Sequence, residues 1–129
     1  MIKIFVKKQG NFAVNVSKVK KELTSFLESK GLVSDFSVTV AIVGEKVMKD
    51  ISVKFLGDAS VHNVLSFTES EVKGEFLYPK DETLPLGEII LCYPKIVEEA
   101  NKEGKLIDTK ALELVKHAAL HLLGEHHSQ

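Results

Sequence analysis

The chain has 129 residues, a hydrophobic fraction of 44%, a charged fraction of 27% and a formal net charge of −1. That length suits one domain with one core, and the near-zero charge argues against an architectural or non-specific nucleic-acid binder while leaving room for a local basic patch. All 17 basic residues are lysine, so a phosphate must be held by lysine point charges, backbone amides or a metal; the single Cys92 excludes an intrachain disulfide and fits a reducing interior.

Along residues 1–7, Ile2, Ile4 and Val6 alternate with Lys3, Phe5 and Lys7, which is a strand pattern. This start is too short and too polar in its sequel for a secretory signal. No run approaches the roughly 18 apolar residues of a spanning helix, so a soluble cytoplasmic protein is expected. Gln9-Gly10-Asn11 is a turn. From about Ser17 the period lengthens: Val19, Leu23, Phe26 and Leu27 mark one helix face, and Gly31 stops the helix. Its outer lysines, Lys18, Lys20 and Lys21, could face RNA, although a solvated helix face is the default.

Asp35 to Val43 is a strand with Phe36, Val38, Val40 and Ile42 on one side. Its other side is also partly apolar, so cover on both faces is expected. After Gly44, Val47, Met48, Ile51 and Phe55 give a short helix. A loop at Gly57-Asp58-Ala59-Ser60 leads to a strand at Asn63–Phe67. Residues 68–85 are polar and turn-rich, with a possible short strand near Glu75–Tyr78. Leu86–Cys92 is the next strand, and it could be an edge that holds an extended substrate; plain sheet pairing is the simpler reading. Pro94 suits a helix start, and that helix runs toward Gly104. Asp108 or Thr109 then caps a last, mostly apolar helix. Residues 1–129 therefore read as a single α+β domain: a small mixed sheet of about four strands packed with four to five helices, the last helix central.

Four of the five histidines lie in the last eleven residues before Ser128. His117 and His121 are four apart within the apolar helix, so both imidazoles lie on one face, one turn apart. Gly124 can turn the chain back, and His127 follows three residues later. This is the H-x-x-x-H-x-x-G-x-x-H spacing of a three-histidine zinc site. One Zn²⁺ on His117, His121 and His127 would keep a fourth position for water, lowering its pKa toward about 7 and polarising a carbonyl or phosphoryl oxygen. Metal-assisted hydrolysis is the expected class. Zinc peptidases with this spacing carry a glutamate after the first histidine, where this chain has Ala118, which counts against a peptidase. RNA needs less help, because its 2′-OH is an internal nucleophile.

The tail His117-x-x-Leu120-His121-Leu122-x-Gly124-x-His126-His127 is similar to the motif of the YbeY family of bacterial metal-dependent endoribonucleases, also called ribosomal RNA maturation factors. Phe55-Leu56-Gly57 followed by Val64-Leu65-Ser66-Phe67 resembles the family's Y-R-G…D-V-L-S-F-P segment, and Leu86-Gly87-Glu88-Ile89 its L-G-D-I strand. The resemblance implies a zincin-like site on the three histidines and cleavage of single-stranded RNA. It also implies action in small-subunit ribosomal RNA processing, with the small ribosomal subunit as partner and no part for DNA or a membrane; a monomer is expected. The chain departs from the family at Leu56 (arginine there), Asn63 (aspartate), Thr68 (proline), Ala118 (glycine) and His126 (aspartate). His126 is a rival to His127 as ligand.

Two further residues are candidates for the chemistry. Glu88 could be a general base or order the metal's water, against a partly exposed strand carboxylate; Ser66 could bind a phosphate oxygen, against a hydroxyl bonded to nearby backbone. Glu125 and His62 read as surface residues, and Cys92 as a buried small side chain that zinc would accept if it reached the site. Two other functions remain open: a zinc hydrolase of peptide or amide bonds, and a non-catalytic ribosome-assembly protein with structural zinc.

Overall fold

The computed structural model describes residues 2–32, 35–72 and 84–124. In chain order the elements are β1 (Lys3–Lys8), α1 (Val16–Ser29), β2 (Phe36–Val43), α2 (Glu45–Leu56), β3 (Val64–Thr68), α3 (Glu69–Val72), β4 (Leu84–Cys92), α4 (Tyr93–Glu103) and α5 (Ile107–Leu123). The four strands form one mixed sheet in the order β1-β2-β4-β3. β1 runs parallel to β2 and β2 parallel to β4, while β3 is antiparallel to β4. The α+β expectation of about four strands and four to five helices is met. The proposed short strand near Glu75–Tyr78 lies outside the described residues.

The two sides of β2 and β4 are both apolar, and each side builds a core. On one face, Val38, Val40, Ile42, Ile89 and Leu91 pack with Val19, Leu23 and Leu27 of α1, Ile96 of α4 and Ala111, Val115, Ala119 and Leu122 of α5. On the other, Ala41, Val43, Ile90, Cys92 and Phe67 pack with Met48 of α2. The single core expected from length is thus two apolar layers sharing one sheet.

Two local departures from the sequence reading have physical causes. The last helix starts at Ile107, with Leu106 at its N-cap and no side-chain cap, so neither Asp108 nor Thr109 caps it. Asp108 instead accepts a hydrogen bond from the backbone N–H of Asn15 at 3.0 Å. Asn15 is itself the N-cap of α1, its side-chain oxygen accepting from Lys18 N. A carboxylate that looks like a cap therefore pins the starts of α1 and α5 together. The segment after β3, expected as loop, holds the four-residue α3.

Ion pairs join α4 to α5. Lys110, almost buried, donates to both carboxylate oxygens of Glu103 at 3.0 Å, and Glu99 accepts from Asn63 Nδ2 at 2.9 Å. At the far end of α5, Gly124 takes the left-handed conformation (φ 75°) that stops the helix after His121, as its place in the sequence foretells.

Candidate functional site

The site begins with β3. Among the described residues this strand is the sheet edge beyond β4. Asn63 O accepts from Cys92 N across the β3–β4 pair, whereas Thr68 N donates to Glu71 Oε1 and not to β4. By the alternation of an antiparallel ladder, the backbone groups of Val64 and Ser66 also point away from β4. The edge is thus β3 and not the Leu86–Leu91 strand, which is paired on both sides.

A cleft of about 880 Å³ runs along this edge. α5 supplies Leu114, His117, Ala118, Leu120 and His121; β3 supplies Val64, Leu65, Ser66 and Phe67; Leu56, Asn63 and Glu71 are the other described residues of the lining. His117 and His121 therefore share one cleft, as the i, i+4 spacing requires, and Ser66 stands in it with them. Ala118, in the place where a peptidase keeps its glutamate, is also there.

Glu71 is a functional candidate that periodicity could not reveal. Its Oε1 accepts from Thr68 N at 2.7 Å and from Thr68 Oγ1 at 3.0 Å, and lies 3.5 Å from His121 Nε2. Thr68-x-x-Glu71 is a capping box, the one sequence signal that marks α3. The Thr68 N–H holds the Glu71 carboxyl below the usual glutamate range, so it stays ionised in the cleft.

Glu88 is placed elsewhere. In register it pairs with Thr39 on β2 and Phe67 on β3. It alternates with Ile89, which belongs to the α5 side, so its side chain shares the α2 side with Ile90 and Cys92. It is 3% exposed, and its Oε2 has no hydrogen-bond partner among the described residues. Burial pushes its carboxyl up to about 7 against the opposing pull of the Thr39 hydroxyl and Lys7. Strand alternation thus places Glu88 on the sheet face away from α5, apart from the described lining of the histidine cleft. Cys92 lies on the same far side, its thiol pushed up by burial. His62 is 3.5 Å from Asp58 and does not line the cleft.

His127, its rival His126 and Glu125 lie outside the described residues. Among the described residues no group of three His, Cys, Asp or Glu stands in place to hold a metal. The donors that are described fit half of a zinc set: two imidazoles one helical turn apart, facing one cleft, with a carboxylate beside the second.

The sequence profile of the family described as Endoribonuclease YbeY matches residues 5–129. The chain belongs to the YbeY endoribonuclease family. A protein named Endoribonuclease YbeY from an Azoarcus species is 38% identical over 95 residues, 73% of this chain and 36% of that relative's length. One of the same name from Dehalococcoides mccartyi is 29% identical over 98% of this chain and 78% of its own length. A solution structure from Thermotoga maritima is 29% identical, with a TM-score of 0.57, covering 95% of this chain and 71% of that one. No helix among the described residues is long and apolar enough to cross a membrane.

Proposed function

We propose that this YbeY-family chain is a zinc-dependent endoribonuclease that cuts single-stranded RNA, acting as a cytoplasmic monomer in the maturation of small-subunit ribosomal RNA. The observation that carries the reading is the pairing of His117 and His121 in one cleft along β3, the sheet edge among the described residues. His117, His121 and His127 are the proposed donors to one zinc ion, which when bound would polarise a phosphoryl oxygen and add positive charge to the cleft. The Ser66 hydroxyl and the outward amides of Val64 and Ser66 are donors for phosphate oxygens along the edge. Ionised Glu71 is the acceptor for a substrate hydroxyl. Leu114 and Leu120 give the cleft apolar walls that limit water.

Leu56 favours one other reading. It lines the cleft, 47% exposed, where the family pattern has arginine, so the phosphate contact of that residue type is lost. A non-catalytic ribosome-assembly protein with structural zinc would tolerate that loss; a peptide or amide hydrolase has no comparable support.

Metal analysis of the purified protein and of its His117→Ala and His121→Ala variants, paired with cleavage of single-stranded RNA before and after metal stripping, tests the proposal. About one zinc per chain, lost in both variants, and cleavage that stops on stripping and in His121→Ala are expected. Equal zinc in all three proteins would overturn the metal site; full zinc without cleavage, even with arginine introduced at position 56, would leave the assembly-protein reading.

A further inference from the structure

We propose that the β1–α1 end of the domain is a docking surface for the phosphate backbone of single-stranded RNA, separate from the histidine cleft. The proposal rests on the reading that RNA is the substrate. It starts from what the described lining of the cleft lacks: among the described residues none that lines it is a lysine, and its one charged group besides the histidines is the Glu71 carboxylate. A polyanion must find most of its cationic partners elsewhere, because phosphate contacts supply the sequence-independent part of RNA affinity.

The charge of the chain is unevenly divided. Residues 1–30 carry seven lysines against two glutamates, a net of +5; residues 31–129 carry ten lysines against sixteen acids, a net of −6. The fold keeps the basic part together, since β1 is the sheet edge opposite β3 and α1 packs on it. All seven lysines are exposed. Ile4 and Val6 turn toward α1, so Lys3 and Lys7 lie on the other sheet face, and the charges surround the edge. Glu22 is withdrawn from this surface by its 3.2 Å ion pair with Lys116 of α5. Lys18, Lys20 and Lys21 make no ion pair among the described residues.

Lysines on an edge strand also prevent sheet-to-sheet association, which accounts for Lys3, Lys7 and Lys8. It does not account for Lys18, Lys20 and Lys21, which sit on a helix. Three interstrand spacings of about 4.8 Å separate β1 from β3 by about 14 Å within the sheet. Helices cover both sheet faces, so an RNA joining β1–α1 to the cleft must run over the surface and be longer than the about four nucleotides of that straight line.

The test is a salt series of binding to a labelled single-stranded RNA of about twelve nucleotides, with the Lys18→Gln/Lys20→Gln/Lys21→Gln variant beside the unaltered chain. Each lost phosphate contact lowers the slope of log affinity on log salt by about 0.7, so the slope should fall by about 2, with binding about a hundredfold weaker at 0.1 M salt. Lys46→Gln/Lys49→Gln on α2 should change neither, and the triple variant should cleave a dinucleotide as the unaltered chain does. An unaltered chain that binds and cleaves RNA with the same slope as the triple variant would overturn the docking surface alone. A chain that neither binds nor cleaves RNA would overturn the functional reading beneath it.

Discussion

Glu88→Gln should remove a large pH dependence of stability. The carboxyl is buried on the α2 side, and its pKa stands at about 7 in the folded chain against an ordinary 4.5. Between those values the unfolded chain has released this proton and the folded chain retains it. The contribution of this one proton to stability is therefore full below pH 4.5, falls as pH rises, and is gone above pH 7. The window is about 2.5 pH units, each worth about 1.36 kcal/mol, so the loss is about 3 kcal/mol. Urea unfolding at pH 5 and pH 8 reads it: with a slope of about 1–3 kcal/mol/M, the midpoint should fall by about 1–3 M between the two. Glutamine keeps the size of the side chain and cannot ionise. Its burial cost is the same at both pH values, so the difference between the two proteins isolates the Glu88 proton. Parallel stability curves for both proteins from pH 5 to pH 8 would refute a buried carboxyl that keeps its proton to about pH 7. RNA cleavage per folded molecule should be unchanged, because the side chain lies across the sheet from His117 and His121.

Gly87→Ala should destabilise the fold by about 1–3 kcal/mol, seen as a thermal midpoint several degrees lower, because a Cβ there would lie 2.3 Å from Phe67 O and 2.6 Å from a Leu122 methyl carbon. The leucine can shift; the backbone oxygen of the paired strand cannot without opening the β3–β4 ladder. Asn15→Ala removes the acceptor for Lys18 N and should cost about 1 kcal/mol in urea unfolding, with unchanged RNA cleavage. Glu71→Ala empties the capping box and should speed hydrogen exchange at the Thr68 amide. If His121 ligates zinc, the same substitution should weaken zinc binding by tenfold or more in a chelator competition; an unchanged affinity would leave Glu71 a helix cap only.

The period of the apolar residues was enough to find eight of the nine elements, because each is long enough to show a face. α3 escaped, being four residues with no apolar repeat, although its Thr68-x-x-Glu71 box was there to be read. The start of α5 escaped for a different reason. Asp108 is a good N-cap by type, and only the distant Asn15 N–H reveals why its carboxylate is engaged elsewhere. Strand order is likewise nonlocal: nothing within Leu84–Cys92 says that β2 and β3 flank it, so an edge role could not be dismissed from the sequence.

The site divides along the same line. His117 and His121 were legible because helix spacing alone brings two side chains to one face, and the capping glycine confirms where that face ends. Glu88 was not legible, and the reason lies in its own strand. Alternation shows that Glu88, Ile90 and Cys92 share one side and Ile89 and Leu91 the other, but both sets are mostly apolar, so polarity does not say which one meets α5. The deciding residue is Gly87. It sits against Leu122 of the histidine helix, where any side chain would collide, so the odd-numbered residues face α5 and Glu88 must turn away. A glycine that reads as an interruption in a strand is the contact that lets the helix approach, and it assigns every other side chain on β4 to its layer.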